Sequence, residues 1–307
     1  MKAYTIFDDF TQEAVDILTG AGVELTVHPM GVSRPDHDQM KTILEDYDCV
    51  IIGTSQKITE DMFEKVDTPR IIATASVGLD HIRVPEEKKT LVRIINTPKA
   101  NAQSVAEYTM ACALSCVKRL VEGNELYKAG RNNKTLYQKP VDLSGKTIGV
   151  VGAGNISACI MEYAQFFGMK VLCWTRNPDG HSDFKDKGVQ FVSMEELVST
   201  ADVISVNLPN NAGTKGIIST SIVEKMRPSA IFISVSRLET IDYDALFKKA
   251  DDNPGFYLCL DLDVNENVVR DMPDCTNVLI TPHIAGGTVE TRKRMFREVA
   301  EQIVELI

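Results

Sequence analysis

Three polar residues follow short apolar, β-rich runs late in the chain, and their types suit chemistry at an anionic carbonyl compound. Arg237 comes after Ile231-Phe232-Ile233-Ser234-Val235-Ser236, Glu266 after a run that begins Leu260-Asp261-Leu262, and His283 after Thr281-Pro282. An arginine can pair with a carboxylate through a planar fork and polarise a neighbouring carbonyl oxygen, using a charge that does not titrate. A histidine can give a developing alkoxide its proton and remove it in the reverse direction. A glutamate on the other imidazole nitrogen orients the ring and favours its protonated form. Taken singly, each residue also fits a surface ion pair, a solvated acid or a turn histidine. Their placement at three successive strand ends favours the chemical reading, because ligands of open α/β sheets bind at the carboxyl ends of strands. Asp263 is a rival for the role of Glu266 if the strand register slips.

A second constellation lies earlier. Ile148-Gly149-Val150-Val151-Gly152-Ala153-Gly154-Asn155-Ile156-Ser157 runs from an apolar strand through glycines into a helix. Gly152 permits a tight turn, Gly154 lets backbone approach a pyrophosphate, and the helix start beyond, with Asn155 and Ile156, offers free N–H groups. Ser157 stands where the dinucleotide fingerprint has its third glycine, a position that governs helix–strand packing more than phosphate contact. Roughly twenty residues further on, where an NAD site has a carboxylate for the ribose hydroxyls, this chain has Thr175 and then Arg176. A hydroxyl and a guanidinium suit a 2′-phosphate, so NADP(H) is expected to be preferred, with NAD(H) usable; the alternative is that Arg176 is a solvated loop residue. Leu208 and Pro209 are placed with the cofactor-binding residues.

The elements that must hold these groups alternate between strand-like and helix-like patterns. Strands are expected at Ala3–Phe7, Val23–Val27, Asp48–Ile52, Arg70–Ala75 and Val92–Asn96, with helices at Gln12–Leu18, Asp36–Tyr47 and Thr59–Val66, the last two opened by capping residues. A long helical pattern covers Asn101 to about Lys128, punctuated by Gly123. Further strands are expected at Thr147–Val151, Val171–Thr175, Ala201–Leu208, Ala230–Val235, Tyr257–Leu262 and Val278–Thr281, and a closing amphipathic helix at Arg292–Ile307. The rhythm implies an α/β fold of two Rossmann-like or flavodoxin-like domains with parallel sheets and a cleft between them. The expected division is a discontinuous substrate domain, 1–99 plus 287–307, and a dinucleotide-binding domain, 100–286, with hinges near Pro98 and Gly286-Gly287.

Composition narrows the partners. The 307 residues carry a formal net charge of −10, which disfavours nucleic acid and anionic membranes. The seven cysteines are odd in number and sit mostly in apolar runs, which suits buried thiols in a reducing cytoplasm rather than disulfides or a metal site. No signal peptide or membrane span is expected. The apolar early part of Asn101–Lys128, with Met110, Ala113, Leu114 and Val117, implies a covered face.

On these residues the chain resembles the D-isomer-specific 2-hydroxyacid dehydrogenases over nearly its whole length. Ser76-Val77-Gly78-Leu79-Asp80-His81-Ile82 is similar to the family's substrate-carboxylate loop, and Asn96-Thr97-Pro98 with Asn101-Ala102-Gln103-Ser104-Val105-Ala106-Glu107 to its hinge and following helix. Leu143-Ser144-Gly145-Lys146 leads into the glycine loop as it does there, Thr281-Pro282-His283-Ile284-Ala285-Gly286 is among the family's most specific strings, and the order Arg237, Glu266, His283 matches. The resemblance implies a dehydrogenase interconverting a 2-keto acid and a D-2-hydroxy acid, with the substrate carboxylate on the N–H groups of Val77 and Gly78. It also implies that Asn101 lines the pocket, that Asp261 meets the nicotinamide carboxamide, and that a two-fold dimer forms through the apolar helix. Leu238 and Asn267 depart from the glycine and proline usual after the arginine and glutamate. The Gly53–Thr59 loop lacks the arginines typical of family members that act on phosphoglycerate, and no appended regulatory domain is expected. Phosphoglycerate dehydrogenation and a dinucleotide-sensing binding role on the same fold are the alternatives. Formate dehydrogenase is a third, disfavoured because it carries Gln where this chain has Glu266.

Overall fold

The computed structural model describes residues 1–131, 139–262 and 277–307. The backbone divides into two compact units, Met1–Asn101 with Thr288–Ile307, and Ala102–Gly287. Each is built on one all-parallel sheet.

The first unit contains β1 (Lys2–Thr5), α1 (Gln12–Gly20), β2 (Glu24–Val27), α2 (His37–Asp46), β3 (Cys49–Ile52), β4 (Arg70–Thr74) and β5 (Val92–Ile95), with the strands in the order β2-β1-β3-β4-β5. This is the flavodoxin-like arrangement. All four residues of β3 are buried, as a strand covered on both faces requires. Asp36 opens α2 with a capping box, accepting from the Gln39 N–H while the Gln39 side chain accepts from the Asp36 N–H. The closing helix, Val289–Glu305, packs on α1. Its Phe296 is buried against Phe7 and Phe10, with ring centroids 4.8 Å away in each case. Arg292 lies over the Phe7 ring and pairs with Asp9.

One expected element differs here. Instead of a helix over Thr59–Val66 there is a single 3-10 turn, Glu60–Phe63, and Thr59 does not cap it, because its hydroxyl donates to Asp61. The helical spacing of Met62, Phe63 and Val66 is real, but it serves core contacts of an irregular segment.

The second unit runs through α3 (Ala102–Val117), α4 (Leu120–Lys128), β6 (Thr147–Val151), α5 (Asn155–Phe166), β7 (Lys170–Trp174), α6 (Ser182–Asp186), β8 (Gln190–Phe191), α7 (Met194–Thr200) and β9 (Val203–Val206). It continues with α8 (Thr220–Lys225), β10 (Ile231–Ser234), α9 (Tyr243–Asp252), β11 (Tyr257–Asp261) and β12 (Val278–Thr281). The strand order is β12-β11-β10-β9-β6-β7-β8. The chain therefore builds outward from β6 first on one side, through β7 and β8, and then on the other, from β9 to β12. That reversal makes the carboxyl ends of β6 and β9 the topological switch point, where ligands of such sheets bind.

The long helical pattern over Asn101–Lys128 is two helices, and the break is at Arg119 rather than Gly123. Arg119 adopts a left-handed backbone, φ 53°, between α3 and α4. Its guanidinium pairs with Glu122 at 2.7 Å and lies 5.4 Å from the centroid of the Tyr257 ring, contacts that offset the cost of a left-handed non-glycine residue. Gly123 lies inside α4. The two-residue strand β8 carries too little pattern to be read from sequence.

Replacing Phe296 with Ala should destabilise the protein by about 3–5 kcal/mol in urea denaturation, the usual range for a buried aromatic. A loss under about 1 kcal/mol would mean that the closing helix is not part of the first unit's core.

Candidate active site

The glycine loop follows β6 directly. Gly152 has φ +106°, a conformation that side chains rarely adopt, and a Cβ there would lie 2.9 Å from the Asn207 carbonyl oxygen. Its N–H continues the β6–β7 ladder to the Trp174 carbonyl at 2.8 Å. Gly154 is the N-cap of α5, and a Cβ built on it would meet nothing within 4 Å, so backbone is open to a ligand there. The first turn of α5, which includes Asn155 and Ile156, points N–H groups without intrahelical acceptors towards this opening. The loop thus has the shape and charge to cradle a dinucleotide pyrophosphate. Ser157 is fully buried against the sheet and its hydroxyl has no hydrogen-bond partner among the described residues.

The neighbouring strand ends complete this edge. Leu208 packs beside Gly152, and its N–H donates to Ser236 Oγ at 2.9 Å, tying the ends of β9 and β10 together. Pro209 follows, exposed. Thr175 is half-buried at the end of β7, with Arg176 exposed beside it. Arg237 is half-buried past the end of β10, and its guanidinium makes no ion pair or hydrogen bond among the described residues. Its backbone carbonyl accepts from the Thr240 hydroxyl at 2.7 Å, which fixes the turn that carries it.

Asp261 ends β11, buried, and is turned towards the segment after β12. Its Oδ1 accepts from the Thr281 hydroxyl at 2.5 Å and from the Ile284 N–H at 2.8 Å, and its Oδ2 accepts from the Ala285 N–H at 2.8 Å. Because an ionised carboxylate only accepts, the Thr281 proton points to Asp261, and Thr281 Oγ1 in turn accepts from the Tyr108 hydroxyl at 2.6 Å. Burial holds the Tyr108 phenol well above its ordinary range, so it stays protonated as this donor. Clasped between these bonds is His283, exposed and in a left-handed backbone with φ 52°. Among the described residues only Arg119 and His283 are non-glycine with positive φ. Glu266 and its rival Asp263 lie outside the described residues.

In the first unit, the loop after β4 turns its carbonyls away and leaves its amides free. The Ser76 carbonyl accepts from the Thr97 N–H at 3.0 Å and hydroxyl at 3.2 Å, the Val77 carbonyl from Asn96 Nδ2 at 2.7 Å, and the Gly78 carbonyl from the Ser76 hydroxyl at 2.9 Å. The N–H groups of Val77 and Gly78 donate to no acceptor among the described residues. Thr74 Oγ1 lies 2.8 Å from Ser76 Oγ and 3.0 Å from His81 Nε2, and burial lowers the His81 pKa. Backbone amides left open in this way can form a nest for an anion. The Oδ1 atom of Asn101 is buried without a partner among the described residues.

Sequence reasoning missed the groups that position these residues: Thr74, Asn96 and Thr97 behind the nest, and Tyr108 and Thr281 behind Asp261. Asn96 and Thr97 stood in a motif that the sequence reading assigned to the hinge. Nothing local marks Tyr108, whose partner is 173 positions away.

If His283 is held in a left-handed conformation, His283→Gly should stabilise the fold by about 0.5–1 kcal/mol. The relief of about 1–2 kcal/mol then exceeds the extra unfolded-chain entropy of glycine, about 0.4–1 kcal/mol. Chemical denaturation showing a clear destabilisation would contradict that backbone assignment.

Comparison with known proteins identifies the family. Residues 110–285 match the family model described as D-isomer specific 2-hydroxyacid dehydrogenase, NAD binding domain. A hydroxypyruvate reductase from Thermotoga maritima is 30% identical over 272 residues, covering 87% of each chain. A glyoxylate reductase from Thermofilum pendens is 26% identical over 289 residues, covering 92% of this chain and 85% of its own. Among solved structures, an acyclic imino acid reductase in complex with NADPH and D-Arg superposes with TM-score 0.83 at 26% identity, over 99% of this chain and 96% of that one. A D-lactate dehydrogenase from Aquifex aeolicus, complexed with NAD and lactic acid, gives TM-score 0.79 at 26% identity, over 99% and 94%. The chain belongs to the D-isomer specific 2-hydroxyacid dehydrogenase family and is an NAD-binding oxidoreductase of that family.

Proposed function

We propose that this protein reduces a small 2-keto acid to its D-2-hydroxy acid with NADPH, in the manner of a glyoxylate or hydroxypyruvate reductase. The observation that carries the reading is the unpaired, half-buried Arg237 at the strand end beside Asp261 and the His283 segment. The dinucleotide, when bound with its pyrophosphate at the Gly152–Ile156 loop, would supply from its nicotinamide the hydride that adds to the keto carbon.

The chain's own residues do the rest. Arg237 pairs with the substrate carboxylate and draws charge onto the carbonyl oxygen. The Val77 and Gly78 amides of the first unit offer a nest suited to a carboxylate, and Asn101 offers its side-chain amide to substrate. As the C=O π bond opens and the new C–H bond forms, His283 donates its proton to the alkoxide. In the reverse direction His283 takes that proton back. Glu266 orients the imidazole and favours its charged form. Asp261 positions the His283 segment, and a carboxylate's remaining acceptor capacity, one site of about four, serves the nicotinamide carboxamide. Leu208 and Pro209 wall the dinucleotide site. In this reading the first unit is the substrate domain and the second the dinucleotide domain.

Preference for NADP(H) rests on Thr175, which removes the carboxylate that repels a 2′-phosphate, and on Arg176, whose guanidinium has no ion-pair or hydrogen-bond partner among the described residues. A solved neighbour that binds NADPH accords with this, and one that binds NAD keeps NAD(H) as a usable second cofactor. A homodimer is what the family resemblance implies; the apolar face of α3, with Met110, Ala113 and Val117, is already covered in the second unit's own core, so the covered face expected from sequence is met within the chain. The six described cysteines, all free thiols, suit the cytoplasm.

Arg237→Ala should abolish measurable reduction of glyoxylate and hydroxypyruvate while leaving dinucleotide affinity within about twofold. Turnover within a fewfold of the parent would remove Arg237 from the mechanism. Thr175→Asp should reverse the cofactor preference towards NADH, and a parent that already uses NADH as well as NADPH at equal concentration would overturn the NADPH assignment.

A further inference from the structure

We propose that Gly213 determines 2′-phosphate recognition, because its missing side chain leaves the seat in which the Arg176 guanidinium rests. The inference builds on the NADPH reading of Arg176 and adds a residue that no cofactor motif contains.

The seat lies at the switch point. Arg176 leaves the end of β7, and Gly213 lies in the loop after β9; these strands flank β6, whose own end carries the glycine loop. The Arg176 side chain therefore reaches past the end of β6 from one lip of the dinucleotide crevice to the other. A Cβ placed on Gly213 would overlap Arg176 Nη1 and lie 3.3 Å from its Cζ. The guanidinium thus occupies the volume that any other residue at 213 would fill.

The loop that forms the seat is rigid. The Gly213 N–H donates to Asn211 Oδ1 at 2.9 Å, the Asn211 N–H to Thr214 Oγ1 at 3.0 Å, and the Thr214 hydroxyl to the Pro209 carbonyl at 2.6 Å. Thr214 is buried. The backbone of Gly213 is outside the positive-φ region, so alanine is conformationally permitted there and the only conflict is with the arginine. Against a fixed loop, the flexible side chain must move.

A seated arginine is preorganised. Laid against Gly213, the exposed side chain already points across the crevice, so less reorientation is needed when it closes on a phosphate. Its charge is uncompensated among the described residues, so a dianionic phosphate at the Thr175 corner would be its partner. A side chain at 213 would leave the charge in place but return it to a solvated, mobile state.

The test uses 2′,5′-ADP and ADP as probes, titrated by calorimetry and by emission of Trp174, the chain's single tryptophan, two positions before Arg176. Gly213→Ala should weaken 2′,5′-ADP binding roughly threefold to tenfold and leave ADP binding and the thermal midpoint unchanged. Gly213→Ser should behave alike. Arg176→Ala should weaken 2′,5′-ADP binding further, and adding Gly213→Ala to it should then change nothing. Unchanged or tighter 2′,5′-ADP binding in Gly213→Ala, with Arg176→Ala still weakened, overturns the seat and leaves the NADPH reading standing. No effect of Arg176→Ala on 2′,5′-ADP overturns both.

Discussion

The candidate active site depends on one buried carboxylate. Asp261 ends β11, next to the edge strand of the second unit's sheet, and accepts three hydrogen bonds, one from Thr281 at the end of β12 and two from the segment after it. A charge so placed is tolerable only when its acceptor sites are filled. Two of the three donors are backbone amides of Ile284 and Ala285. The chain before them must therefore curl tightly, and His283 takes up the curl in a left-handed conformation. Strain of this kind persists only where surrounding contacts over-determine it. Here the carboxylate, Thr281 and, behind Thr281, Tyr108 of α3 supply those contacts.

The same logic, with signs reversed, shapes the nest in the first unit. There carbonyls are captured by Asn96, Thr97 and the Ser76 hydroxyl, so that the amides of Val77 and Gly78 are presented outward. One site fixes a side chain by holding amides, and the other frees amides by holding carbonyls. The nest is built without any charged side chain, in a chain whose formal net charge is −10. Arg237 and Arg176 keep their guanidinium groups unpaired among the described residues.

Much of this was legible in the residues. The glycine loop could be read because Gly152 and Gly154 answer to local geometry, a positive φ and an open approach. The strands could be read because apolar runs such as Ile231–Ser234 are buried on both faces. The alternation of strand-like and helix-like patterns carried the fold assignment, and the strings around Val77, Asn101 and His283 carried the family resemblance. What escaped is long-range. The break at Arg119 is set by Glu122 and by a ring on β11, not by the nearby Gly123. The sequence reading takes Asp261 only as the nicotinamide partner that the resemblance implies; its hold on Thr281 and on the amides that follow needs the strand pairing to be seen. Gly213 reads as a turn glycine until Arg176 is seen lying on it.

The central claim is that Asp261 serves catalysis through His283. A double-mutant cycle on turnover, at saturating dinucleotide and keto acid, tests it directly. Asp261→Asn alone should lower kcat at least about tenfold, since a misplaced acid loses much of its usual 10²–10⁴-fold contribution. In the His283→Ala background the same substitution should cost far less than in the parent, because there is no imidazole left to position and only the contact to the nicotinamide carboxamide remains to be lost. Losses that multiply in the double variant would show that Asp261 acts on the reaction independently of His283, and would contradict the account.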